Sequence, residues 1–225
     1  MQNIDIRLLL DQASSDIADM GAQAELGTIK TVLLKNTLEN MRSALDYLAQ
    51  DIAAKLIRCS PDEKLPRRIY FPYARDRYEF EKSLARNLPT LGRDLPEVLT
   101  IITRYQPFSC SSNWLIDLVE LTNETKHNFL HKPENITSQN VVLPGWLSAS
   151  ARTVIITGSR VNGKSLDDVV VENGEITVIK PGEVSFEVTV DNHLLFLGKD
   201  IEILPFLRSA LLEVESLVMN VSQQL

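Results

Sequence analysis

The stretch from Thr28 to Ile57 limits the fold more than any other part of the chain. Ile29, Val32, Leu33, Leu38, Met41, Ala44, Leu45, Leu48, Ile52 and Leu56 recur every three or four residues, the repeat that lines up apolar side chains on one broad helical face. A helix with so wide an apolar face needs partner helices to cover it. The rest of the chain supplies them. Residues 4–20, with Ile4, Leu8, Leu9 and Ala13, predict a first helix. Gly21 and Gly27 weaken the segment that follows, and one long broken helix over 4–57 is the alternative. Residues 77–88 are helical in pattern, with Phe80 and Leu84 inward and Pro89 as the stop. Residues 95–103 predict a short helix with Pro96 in its first turn. A connector over 106–112 contains Pro107, and a helix over 115–130 follows, with Ser111, Ser112 or Asn113 as its cap and Pro133 as its end.

Two stretches break the helical pattern. Ser60 to Arg68 reads as a loop, and RIYFPYA (68–74), interrupted by Pro72, as extended chain lying across a helical surface. Beyond residue 140 the periodicity changes. Short β-branched runs at 141–143, 151–157, 169–171, 176–179 and 184–190 alternate with Gly158, Gly163, Gly174 and Gly182. The Asn-Gly pairs at 162–163 and 173–174 are hairpin signals. Helical spacing returns over 201–225 through Leu204, Leu207, Leu211, Val214 and Val218. The predicted class is therefore α+β. An antiparallel helical bundle occupies 1–135, a small antiparallel β-subdomain 136–200, and a last helix over 201–225 packs back on the bundle.

The 225 residues, 44% hydrophobic, suffice for a substantial core. A net charge of −7 repels nucleic-acid phosphates on average, so DNA is not an expected partner. The middle of the chain is locally basic, however. Arg67, Arg68, Arg75, Arg77, Arg86, Arg93 and Arg104 alternate with Tyr70, Phe71, Tyr73, Tyr78, Phe80 and Tyr105. That composition suits RNA contact by phosphate pairing and stacking, and equally a packed groove with arginines reaching outward. Cys59 and Cys110 make neither a disulfide framework nor a zinc site and are expected to be buried or partly buried. No leader and no span of about 20 apolar residues is evident. A cytoplasmic protein is expected, in which the sequons at Asn123, Asn135 and Asn220 carry no glycan.

One chemical constellation stands out. Asn123, Lys126 and His127 are three or four apart and share a helical face. On the long helix Arg42 and Asp46 are four apart, with Asn40 alongside. If the helices cross here, Asp46 orients the His127 imidazole while Arg42 or Lys126 stabilises an anion. The plainer reading is a structural polar network and helix-end capping. Glu124, His127 and His131 do not complete a metal site, and the Gly-Lys-Ser at 163–165 lacks the phosphate-loop pattern. Ser109, Cys110, Ser111 and Ser112 have no partner base. No cofactor is expected.

NMRSALDYL (40–48), LVELTNETKH (118–127), FPYA (71–74) and YQPF (105–108) together resemble the HEPN-like all-helical proteins. More narrowly, they are similar to bacterial proteins carrying NxRSALDxL and LxxLNxxxKH. The resemblance covers about 28–132 and leaves the β-region outside. It implies a bundle that is often dimeric and, in many members, a metal-independent ribonuclease whose Arg and His lie four to six residues apart. His127 matches that His. Leu121, Thr122 and Asn123 stand where the Arg belongs, Asn123 matching the polar residue that often follows it. By resemblance Arg42 replaces the missing charge and Asp46 matches the acidic residue of the other helix. Other members of the family have lost catalysis. Three expectations follow: a non-catalytic interaction or ligand-binding protein, a divergent ribonuclease using His127, Arg42, Lys126, Asp46 and Asn123, or a purely structural helical homodimer. The partners that fit are a second copy, RNA or a protein.

Overall fold

The computed structural model describes residues 3–26, 28–127, 133–143, 147–151, 153–172, 175–184 and 187–225; side chains at 125–127, 135–143, 147–151 and 187–192 lie outside that description. The contacts divide the chain into two units, Met1–Lys132 with Ile203–Leu225, and Pro133–Glu202. The class is α+β, a helical bundle with a small antiparallel β-unit inserted before the last helix.

The long apolar repeat forms α2, Thr31–Cys59. Leu38, Met41, Ala44, Leu45, Leu48, Ala49 and Ile52 on it are wholly buried, as the 3.6-residue spacing requires. Val32, expected on the same face, is exposed at the first turn. Against α2 pack α1 (Ile4–Ala24), α7 (Trp114–His127) and α8 (Ile203–Ser222). Asn3 caps α1 by accepting the Asp5 N–H at 3.0 Å. Asp76 caps α3 (Arg77–Asn87) by accepting the Glu79 N–H at 2.9 Å; each such cap contributes about 1 kcal/mol. Pro89 follows α3. The one-turn helix α4 (Leu91–Asp94) leads into α5 (Pro96–Arg104), with Pro96 at its start. The predicted connector at 106–112 contains one turn of helix instead, α6 (Pro107–Cys110), because Pro107 presets the first helical φ. α8 packs on α1, α2, α5 and α7, burying Ile203, Leu207, Ala210, Leu211, Val214, Leu217, Val218 and Val221. Both cysteines are exposed, against expectation, because each ends a helix on its solvent side.

In the β-unit, β1 (Pro133–Leu143), β2 (Leu147–Ala151), β3 (Thr153–Ile156), β4 (Arg160–Val161), β5 (Lys164–Ser165), β6 (Asp168–Glu172), β7 (Glu175–Lys180) and β8 (Glu187–Phe196) form three antiparallel sheets. Their orders are β2-β1-β8, β3-β6-β7 and β4-β5. β1 begins eight residues before its first predicted position, 141, and pairs with β8 from Pro133↔Phe196 onward. Val169 and Val171 are buried, with Val154 and Ile156 packed on them. Asn162 (φ 51°) and Gly163 (φ 78°) turn β4 into β5, the left-handed pair that a two-residue hairpin requires. A Cβ at Gly182 would overlap the Leu166 backbone, so only glycine fits where that segment passes. Among the described residues no helix is long and apolar enough to cross a membrane.

Candidate functional site

RIYFPYA belongs to no helix or strand, and side chains from separate helices bind its backbone. Asp46 of α2 accepts the Phe71 N–H at 2.9 Å, and Asn87 of α3 accepts the Tyr70 N–H at 3.1 Å. Gln106, just before α6, accepts the Ala74 N–H at 3.2 Å and donates to the Pro72 and Ile102 carbonyls at 3.3 Å. A strap without a sheet partner must find its hydrogen bonds elsewhere, and these amides and this carboxylate provide them. FPYA and YQPF, far apart in sequence, therefore bond to each other.

Under the strap lies Arg42. Its Nη2 is 3.4 Å from Asp46 Oδ1, and the two side chains are only 12% and 23% exposed. The guanidinium carbon lies 4.9 Å from the Tyr73 ring centroid, in cation–π range. Its Nη1 is buried and has no hydrogen-bond partner among the described residues. Arg42, Tyr70, Tyr73, Lys82, Arg86 and Asn87 line a cleft of about 440 Å³. Lys82 bonds Glu79 at 2.9 Å, and that carboxylate raises the Lys82 pKa above its ordinary value. At the end of the strap Arg75 is paired with Glu120 of α7.

The pairing of Arg42 with Asp46 is the part of the sequence constellation that the structure brings together. Asn40 is half-buried on α2 and Asn123 is exposed on α7. Lys126 and His127 end α7, and their side chains lie outside the described residues, as does His131 altogether. Thr122 faces inward, its hydroxyl donating to the Leu118 carbonyl at 2.6 Å, with the Leu38 carbonyl at 3.5 Å. Gly163, Lys164 and Ser165 sit on the β4–β5 hairpin and precede no helix. His193 of β8 lies 3.1 Å from Glu202. Among the described residues no three His, Cys, Asp or Glu side chains cluster as metal ligands.

Gln106, Asn87 and Lys82 are the residues that sequence reasoning missed here. Gln106 is fully buried, and an amide beside a proline in a polar connector gave no sign of that. Of the aromatics thought to fill a groove, Phe71 and Phe80 do so, whereas Tyr70 and Tyr78 are exposed. Compared with protein-family models, with curated proteins and with solved structures, the chain matches none.

Proposed function

We propose that the chain is a non-catalytic, HEPN-like binding protein whose Arg42 cleft takes a phosphate group, carried by RNA or by a nucleotide. The observation that carries this reading is the buried Arg42 Nη1 without a partner. A desolvated donor with no acceptor costs about 1–3 kcal/mol, and an anion entering the cleft repays it. Guanidinium suits phosphate because its N–H groups form a planar fork. Arg86 adds positive charge at the rim, where Lys82 is paired with Glu79, and the half-exposed Tyr70 ring offers a face for a base. The motifs behind the HEPN resemblance have structural work in this reading: Asp46 and Gln106 hold the strap, and Thr122, which stands where the pattern has Asn, faces α2. The test is the anisotropy of a labelled short oligoribonucleotide, with inorganic phosphate and a nucleoside monophosphate as competitors. Arg42→Gln is expected to weaken binding about tenfold or more. Equal binding by wild type and Arg42→Gln would remove the cleft from the reading.

One observation favours a ribonuclease as the second reading. Glu120, tied to Arg75 at the strap, precedes His127 by two turns of α7, about 10 Å along the axis. In that reading His127 moves the proton, Arg42 and Lys126 steady the phosphate, and Asp46 and Asn123 orient the site. Cleavage of an RNA pool in EDTA that is lost in His127→Ala would establish it; equal background in both would leave the binding reading alone. The exposed apolar side chains of Ile4 and Leu8 on α1 and of Leu212 and Met219 on α8 favour pairing of two copies, which sedimentation at rising concentration tests.

A further inference from the structure

A second cavity, of about 460 Å³, is lined by residues of α5, α6, α7 and α8 and shares none with the Arg42 cleft. Its size falls in the range of small-molecule sites, about 300–1,000 Å³. Tyr105 and Trp114 meet edge to face at 6.5 Å and give it an aromatic wall. The Tyr105 hydroxyl is fixed by Ser216 at 2.7 Å and by the Asn220 amide at 2.8 Å, so this wall is set before any ligand arrives. Arg104 and Glu213 also line the cavity, and among the described residues neither makes an ion pair, with the other or with any third group. Had they paired, each charge would already have its counter-charge before a ligand arrived. Held separately, they offer one cationic and one anionic anchor beside an apolar surface.

We propose that this cavity binds a small zwitterion with an apolar side chain, a free amino acid being the simplest. Arg104 takes the carboxylate, Glu213 takes the ammonium group, and the Tyr105–Trp114 wall covers the side chain. Nothing in this site depends on the Arg42 cleft.

The cavity carries its own reporter. Cys110 lines it, whereas Cys59 is an exposed thiol at the end of α2 and serves as the internal reference. The experiment follows maleimide labelling of both thiols on the full chain by mass spectrometry, with millimolar leucine, phenylalanine, N-acetylphenylalanine, phenylalanine amide or a phenylalanyl dipeptide. Free leucine or phenylalanine is expected to slow labelling of Cys110 several-fold and leave Cys59 unchanged. Removing either ligand charge, or introducing Arg104→Gln or Glu213→Gln, is expected to raise the concentration needed about tenfold. Arg42→Gln is expected to change nothing. Unaltered Cys110 labelling with every zwitterion, equal slowing at both thiols, or equal protection by the singly charged analogues would overturn the proposal. Protection by the dipeptide alone would overturn the free amino acid as the ligand.

Discussion

α2 buries seven apolar side chains completely along one continuous face, from Leu38 to Ile52. In the β-unit the buried apolar residues among those described are Leu166, Val169, Val171, Leu194, Leu195 and Phe196, and β7 is exposed along its whole length. The bundle rests on apolar area removed from water, at roughly 25 cal/mol per Å². The β-unit leans on backbone geometry: a left-handed turn at Asn162–Gly163 and a glycine-only passage at Gly182. The same kind of substitution should therefore act through different causes in the two units.

The largest effect is expected in the bundle. Leu45→Ala empties a fully buried position in the middle of α2 and should cost about 3 kcal/mol, within the usual 2–5. Denaturant unfolding followed by helical circular dichroism measures it; a loss below 1 kcal/mol would mean that the site collapses without a cavity. Next comes Asp46→Ala, which strands the Phe71 N–H and leaves Arg42 without its carboxylate. About 2 kcal/mol is expected. Asp46→Asn keeps an acceptor for Phe71 and should recover much of it, a split that shows Asp46 acting on the strap.

In the β-unit the probe is Gly163→Ala. Its φ of 78° suits glycine, and a Cβ there should cost about 1 kcal/mol. Amide exchange should quicken around β4 and β5 while α2 keeps its protection; quickening of α2 as well would show the two units to be one cooperative body. The smallest effect concerns acid. The Arg93 guanidinium, bonded to Asp94 at 2.8 and 3.2 Å, holds that carboxyl below its ordinary 3.8, at about 2. A lowered folded pKa contributes stability that is complete above the ordinary value and lost as pH falls through the folded one. The window is therefore 3.8 down to about 2. Arg93→Gln should move the acid edge of the unfolding curve upward; an unmoved edge would show that this exposed pair contributes nothing measurable.

The two units were also unequally legible in the sequence. α2 and α8 follow from their spacing alone, because a helix that long repeats its face many times. The β4–β5 hairpin is legible from Asn162–Gly163, since few residues tolerate that turn. The start of β1 is not, because PENITSQN is polar and lacks alternation, and its strand character comes from the long partner β8. At the candidate site the Arg42–Asp46 pair follows from i,i+4 geometry. The second partner of Asp46, the Phe71 N–H, is 25 residues away and leaves no local trace. Gln106 is hidden in the same way, its partners on the strap lying 32 and 34 residues upstream.

The strap has a consequence for the order of assembly. Its anchors, Asp46, Asn87 and Gln106, sit on α2, on α3 and just before α6. No one helix offers a complete berth, so the segment docks only once the others have met. Its contacts belong late on the folding path, with φ-values near zero expected at Tyr70 to Ala74. The amides of Tyr70, Phe71 and Ala74 then act as a clasp fastened last, and their hydrogen-exchange protection reports that the helices around them have finished packing.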